Sequence, residues 1–230
     1  MNTLMKNRLP APPYPHPTGC PQAPDNWPRL MAEQSGTSVS DYSCTAQTSA
    51  QAAVKLEQAI AEHAIGPATE TVVVAVGFND FGPYGLADGV NITDFGAVET
   101  HYVDVMHRLV DRVRAVAPAA RVVIAGTPAI GSAGAVCVVN VIPGHPGGLP
   151  IPVENWEQAN QHMQSRAAAE TGAQFLDLRE ASAGHDTCTP VDSERFISGV
   201  VDTTSPAWHM WIHPTAAGTR FIADQVGKAV

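Results

Sequence analysis

The 230-residue sequence is short of positive charge: 13 lysines and arginines stand against 22 aspartates and glutamates, for a formal net charge of −9. Phosphate binding needs a basic patch and none is visible, which argues against nucleic acid as a partner. No apolar run approaches the roughly 20 residues needed to cross a bilayer, so no transmembrane segment is expected. The N-terminal stretch "MNTLMKNRLPAPPYPHP" has no apolar h-region and is not a signal peptide as it stands. The four cysteines, Cys20, Cys44, Cys137 and Cys188, include no C-x-x-C pair. Their spacing is poor for zinc and for a thioredoxin-like redox motif. No glycine-rich phosphate loop follows any strand-like run, which disfavours a flavodoxin-like cofactor binder.

What is present reads as an ordinary globular chain. Apolar residues make up 44% and charged residues 15%, and the length suits one domain with a sizeable core. An even number of cysteines fits two disulfides or buried free thiols; disulfides would imply an oxidising compartment. Proline crowds residues 7–28, excluding a long helix or central strand there. Residues 1–28 are therefore read as a loop segment ahead of a domain at 29–230. Within that domain, "TSVSDYS" (37–43) suits a short strand and 49–65 a helix with Ala53, Leu56, Ile60 and Ala64 on one face. "TVVVAVG" (71–77) is a continuous β-branched run, as in a strand covered on both faces. Residues 94–117 carry apolar side chains at helical spacing and stop before Pro118. "RVVIAG" (121–126) and "QFLDL" (174–178) are further strands, around a helix at 153–171 with Gly172 as its C-cap. The stretch from Thr127 to Pro152 is read as a glycine- and proline-rich loop, and another irregular stretch leads to a last helix at Pro214. Strands alternating with helices predict an α/β fold, a parallel sheet with helices on both faces. Function in such folds gathers at the C-terminal strand ends.

Two places there stand out. Gly77-Phe78-Asn79-Asp80 closes the 71–77 run, either as a simple turn or as a way of presenting the Asn79 amide to developing negative charge. His213 stands directly before Pro214. Proline suits the first turn of a helix and keeps the residue before it out of helical geometry, so His213 belongs on a loop at a helix start. It is there as a structural cap or as a general base, since an unperturbed pKa of about 6.5 suits proton transfer near neutrality. A His209/His213 metal pair is disfavoured, because Pro214 places both ahead of the helix and no third ligand lies nearby. "NIT" at Asn91 is a glycosylation sequon of a kind common by chance.

Taken in order, "GCPQAPDNWPRLMAEQSG", "SDYSCTAQTSA", "VVVAVGFNDFG", "ASAGHDTC" and "HPTAAGTRFIAD" resemble the blocks of the SGNH hydrolases, the GDSL-lipase superfamily, and its secreted actinobacterial esterase branch in particular. The resemblance runs from about Arg8 to the C-terminus. It implies a three-layer α/β/α, flavodoxin-like sheet, a carboxylic ester or lipid ester substrate, no cofactor, no metal, and a monomer. Residue by residue it implies His213 as general base, Asn79 as side-chain oxyanion donor and the Ala46 backbone N–H as a second donor, alanine standing where the family usually has glycine. Gly77 and Asp80 would support that block. Where the family commonly places an aspartate three residues before the histidine, this chain has Met210, so the Met210 main-chain carbonyl is expected to hold the ring; Asp202 is an outside candidate. The resemblance also implies the disulfides Cys20–Cys44 and Cys137–Cys188, each worth roughly 3–4 kcal/mol in the chain-entropy model.

One part of the pattern is missing. The family's nucleophile is the serine of a G-D-S block at the end of the first strand, and this sequence has no serine before Ser35. Ser38 lacks the glycine two residues on that a nucleophile elbow uses, Ser132 has the wrong spacing, and Ser43 and Ser49 stand at no recognised strand-to-helix turn. Two expectations follow: a secreted esterase whose chain here starts after its nucleophile, which the absent leader and first strand favour, or an inactive SGNH-like binding protein. With the first strand gone, the 71–76 strand is expected to expose a hydrogen-bonding edge.

Overall fold

The computed structural model describes residue 20, residues 22–205 and residues 210–230. Most of the proline-rich segment read at 1–28, and His209, lie outside the described residues. The chain forms two compact units interleaved in sequence. One comprises Ser40–Thr127, Gln158–Asp177 and Ala229–Val230. The other comprises the residues up to Val39, Pro128–Glu157 and Leu178–Lys228.

The unit beginning at Ser40 is built on three parallel strands, β1 (Thr71–Val74), β2 (Arg121–Ala125) and β5 (Gln174–Leu176), in the order β1-β2-β5. Thr71 stands opposite Arg121, and Val123 opposite Gln174. Parallel neighbours require long crossovers, which here are helical. Before the sheet comes α2 (Ser49–Ala61); the short α3 (Pro83–Ala87) and α4 (Phe95–Val116) join β1 to β2, and α5 (Glu154–Thr171) leads into β5. The start of α4 is set by Asp94, whose carboxylate accepts from the N–H groups of Gly96 and Ala97. Its apolar face, Val98, Tyr102, Val105, Met106, Leu109 and Val113, packs with Leu56 of α2, Ile124 of β2 and Met163 of α5 in one core. The 71–77 run was expected to be covered on both faces. As a strand it is only four residues long, and Val72 and Val73 are partly exposed. Among the described residues β1 pairs with β2 alone, and no described strand lies on its other side. The 37–43 stretch is irregular rather than a strand.

The other unit holds α1 (Trp27–Ser35), α6 (Leu178–Ala181), α7 (Ala216–Ala229) and a second sheet of order β4-β3-β6, from β3 (Val136–Ile142), β4 (His145–Leu149) and β6 (Val201–Asp202). The β3–β4 hairpin falls where the sequence reads as a loop. "HPGGL" has almost no strand propensity, and Pro146 is tolerated because β4 is an edge strand. Cys137 of β3 is bonded to Cys188, with Cα atoms 4.8 Å apart; Cys20 and Cys44 are likewise disulfide-bonded. A fully buried Arg195 ties the unit's loops together. It donates to the Thr189 carbonyl (2.8 and 3.1 Å), Thr204 Oγ1 (2.9 Å), Ser205 Oγ (3.2 Å) and the Asp192 carboxylate (2.7 Å).

Candidate active site

Within the parallel-sheet unit, the placement of Asn79 begins at Gly77. Its φ of +143° is closed to residues with a side chain, and a Cβ there would lie 2.6 Å from Asn160 Oδ1 and 3.0 Å from Gln164 Nε2 and Met163 Cε. The chain turns tightly against α5 and enters a 3-10 turn, Phe78–Phe81. From that turn the Asn79 amide donates to the Gln47 carbonyl at 3.2 Å. Gln47 is the residue after Ala46, so the two expected oxyanion donors are brought to one place. Ala46 has φ +64°. That left-handed value explains why glycine suits the position and how alanine serves there under strain.

Asp80, on the same turn, has another task. It is 1% exposed, and its carboxylate accepts from the Ser49 N–H (3.0 Å) and from the Ser49 hydroxyl. Ser49 is the first residue of α2, so the carboxylate sits at that helix's N-terminus, where negative charge is favoured. Burial pushes the Asp80 pKa up, while the Ser49 hydroxyl and N–H oppose the rise. This locks the 45–49 loop to the Asn79 turn. Ser49 is fully buried, so its hydroxyl is no stand-in nucleophile; Ser38, Ser43 and Ser132 lie on exposed loops or turns.

His213 belongs to the other unit. The last helix starts at Ala216 rather than Pro214, with Thr215 Oγ1 accepting from the Gly218 N–H at 3.1 Å, so His213 is on the loop before it. Its Nδ1 lies 3.0 Å from the Trp211 carbonyl. The expected Met210 carbonyl instead accepts from the Ser198 hydroxyl at 3.0 Å. The reason for the difference is Ile212, held at φ +52°. That left-handed residue turns the chain so that the carbonyl two residues back, not three, meets the ring. A carbonyl can only accept, so Nδ1 carries the proton of the neutral ring and Nε2 keeps the lone pair of a base. Protein atoms crowding the ring push its pKa below the usual histidine value, against the raising pull of the Trp211 carbonyl, although the residue still presents surface to solvent.

Asp202 is taken up elsewhere. It is buried and accepts from the N–H groups of Gly199 (2.9 Å), Ser205 (2.8 Å) and Thr204 (3.1 Å), and from the Ser205 hydroxyl (2.7 Å). Burial alone would raise its pKa; these donors outweigh it and hold the carboxyl below the ordinary range. Sequence reasoning missed Gln47, Ser49 as a helix-start partner, Trp211 and Ile212. Only Ser49, polar at a helix start, carried any signal. Among the described residues no group of three or more His, Cys, Asp or Glu could hold a metal ion, and no helix is long and apolar enough to cross a membrane.

The chain is 28% identical over 228 residues to Lipase 2 of Streptomyces coelicolor, a match covering 89% of this chain and 75% of that protein. An extracellular lipase from Streptomyces rimosus shares the fold at a TM-score of 0.67 and 19% identity, over 98% of this chain and 96% of its own. A phospholipase A1 from Streptomyces albidoflavus shares it at a TM-score of 0.63 and 19% identity, over 96% and 94%. These relatives carry the parallel-sheet SGNH hydrolase fold. Residues 11–221, which include the Asn79 turn, the Ala46 loop and His213, match one family across nearly the whole chain: the protein belongs to the GDSL-like lipase/acylhydrolase family.

Proposed function

We propose that this chain is the scaffold of a secreted carboxylic ester hydrolase working through an acyl-enzyme, with residues 29–230 acting as one monomeric domain. The Asn79 amide and the Ala46 N–H stabilise the tetrahedral oxyanion, and His213 Nε2 takes the proton of the attacking serine and later that of water. No serine of these 230 residues stands in a G-D-S block, so in this reading the attacking hydroxyl comes from sequence outside them. The observation that carries the proposal is the Asn79–Gln47 hydrogen bond, which puts a side-chain amide beside the strained Ala46 turn.

The test is p-nitrophenyl ester turnover, measured on the 230-residue chain and on a form extended by the in-frame upstream codons. The extended form should turn over. Asn79→Ala should lower its kcat by about 10²–10³ and His213→Ala by on the order of 10⁶, while the 230-residue chain stays at background. Turnover by the 230-residue chain that survives both substitutions would refute the assignment. Inactivity of both forms, together with binding of an acylated ligand, would favour the non-catalytic reading.

A further inference from the structure

The most unusual surface of the molecule is the β3–β4 hairpin with β6 beside it. Val139, Val141, Ile142 and Leu149 of the hairpin and Val201 of β6 are all exposed, Ile142 at 59%. Val139 stands opposite Val201 in the parallel β3–β6 pair, and Val141 follows two residues on. Neighbours across a pair share a face, and with Asn140 buried between them Val139 and Val141 are both exposed, so these three form one aliphatic stripe; beyond a register shift in the ladder, Ile142 is exposed as well. Scattered exposed aliphatics are ordinary, whereas a contiguous apolar patch marks an interaction site.

Charge narrows the choice of partner. From Val122 to Val153 there is no aspartate, glutamate, lysine or arginine, although the chain as a whole carries 35 such residues and a net charge of −9. The carboxylate that touches the hairpin turn, Asp192, accepts from the Gly144 N–H at 3.2 Å and is ion-paired at 2.7 Å with buried Arg195. An uncharged face on an acidic protein suits a surface that is itself neutral and apolar. It does not suit an anionic bilayer, which selects lysine and arginine. A second copy of the chain adding a strand at a free edge is disfavoured as well. One edge is β4, where Pro146 has no N–H to donate and Pro150 and Pro152 follow directly; the other is β6, only two residues long.

The stripe is also continuous with the loop that carries the histidine. The Val200 N–H donates to the Val138 carbonyl at 2.8 Å, the Ile212 N–H to the Gly199 carbonyl at 3.4 Å, and the Ser198 N–H to the His213 carbonyl at 3.0 Å. Trp211, half-exposed, lies in that loop, and a tryptophan is the side chain most at home where apolar and wet regions meet.

We infer that the β3–β4 hairpin, with Val201 and Trp211, is a docking surface for an electrically neutral lipid interface, which it seats against the His213 loop. This goes beyond the acyl-transfer reading and stands without it, because binding is measured with no turnover. The experiment is co-sedimentation of the whole chain with phosphatidylcholine vesicles. The chain should partition onto them, with no loss when salt is raised several-fold, and less onto vesicles rich in phosphatidylglycerol. Val141→Asp/Ile142→Asp should weaken partitioning by about tenfold or more, since each removes an aliphatic side chain from the contact. Val54→Asp, at a site 68% exposed on α2, should leave it unchanged. Unaltered far-ultraviolet circular dichroism checks the fold of the double variant, and the milder Ile142→Ser replaces it if that fold is lost. Failure to bind phosphatidylcholine, binding abolished by salt, or equal binding by the hairpin variants would overturn the inference. So would a dimer in sedimentation velocity that the double variant dissolves while wild-type chain ignores vesicles.

Discussion

Replacing Gly77 with alanine is the sharpest test of how the Asn79 turn is held. Two costs are separable. Backbone strain at φ +143° is one, of about 1–3 kcal/mol for a residue with a side chain. Collision is the other: the new Cβ would sit 2.6 Å from Asn160 Oδ1 and 3.0 Å from Gln164 Nε2 and Met163 Cε. These three side chains are no more than 2% exposed, so they cannot swing away into solvent. Gln164 Nε2 is also the donor to the Val76 carbonyl at 2.9 Å, and moving it gives up that bond. Overpacking of this kind costs about 1–3 kcal/mol and the lost bond about 1, against a gain of about 0.4–1 from a stiffer unfolded chain. The net expectation is a loss of about 2–6.5 kcal/mol, read from urea unfolding. Gly89→Ala is the control, in the same unit, at φ +86° with nothing within 4 Å of the added Cβ. It should pay only the backbone cost of about 1–2 kcal/mol. Equal losses in the two variants would refute the claim that contact with α5 fixes the turn.

Ala46→Gly should stabilise the chain by about 0.5–1 kcal/mol, because relief of left-handed strain outweighs the added unfolded-state freedom of glycine; a shift of the urea midpoint in either direction decides it. Arg195→Met should cost about 3–5 kcal/mol and speed amide exchange across residues 189–205, the segment its guanidinium ties together; unchanged exchange there would contradict that role. The His213 imidazole should titrate below 6.5 by NMR. A depressed histidine contributes stability that is complete above its unfolded pKa of about 6.5. That contribution is lost as pH falls from about 6.5 through the folded value, so the urea midpoint should drop on the acid side of neutrality.

The parallel-sheet unit was largely legible from its sequence because its signals are local and repeated. β2 and α4 carry unbroken β-branched or helically spaced apolar runs, with Asp94 and Pro118 as stops, and their observed ends lie within a residue of those expected. The hairpin at 136–149 was not legible. β4 is a strand by virtue of pairing with β3, and its own Gly147 and Gly148 argue against it. Asn79 and His213 were singled out by residue type and by the glycine and proline beside them. The partner of His213 was not, because the conformation of Ile212 decides it. A β-branched residue at positive φ is a tertiary imposition with no mark in the sequence.

In the acyl-transfer reading the two proposed groups, Asn79 and His213, are each held within their own unit, and they are prepared differently. The Asn79 turn is preorganised. Asn79 gives an amide hydrogen to the Gln47 carbonyl, and the strained Ala46 turn is pinned through Ser49 to Asp80, on the turn that also carries Asn79. Such donors pay no reorganisation when charge develops, which is why their removal weighs so heavily on a barrier. His213 sits on a loop held by main-chain contacts: the Trp211 carbonyl on Nδ1, and Ser198, which bonds the carbonyls of both Met210 and His213. With a carbonyl rather than a carboxylate behind it, the imidazolium that forms on proton uptake gains a dipole and no counter-charge. A base built this way depends more heavily on the oxyanion donors to carry the transition state. In the acyl-transfer reading, then, Asn79 matters more here than in a site where an aspartate backs the histidine.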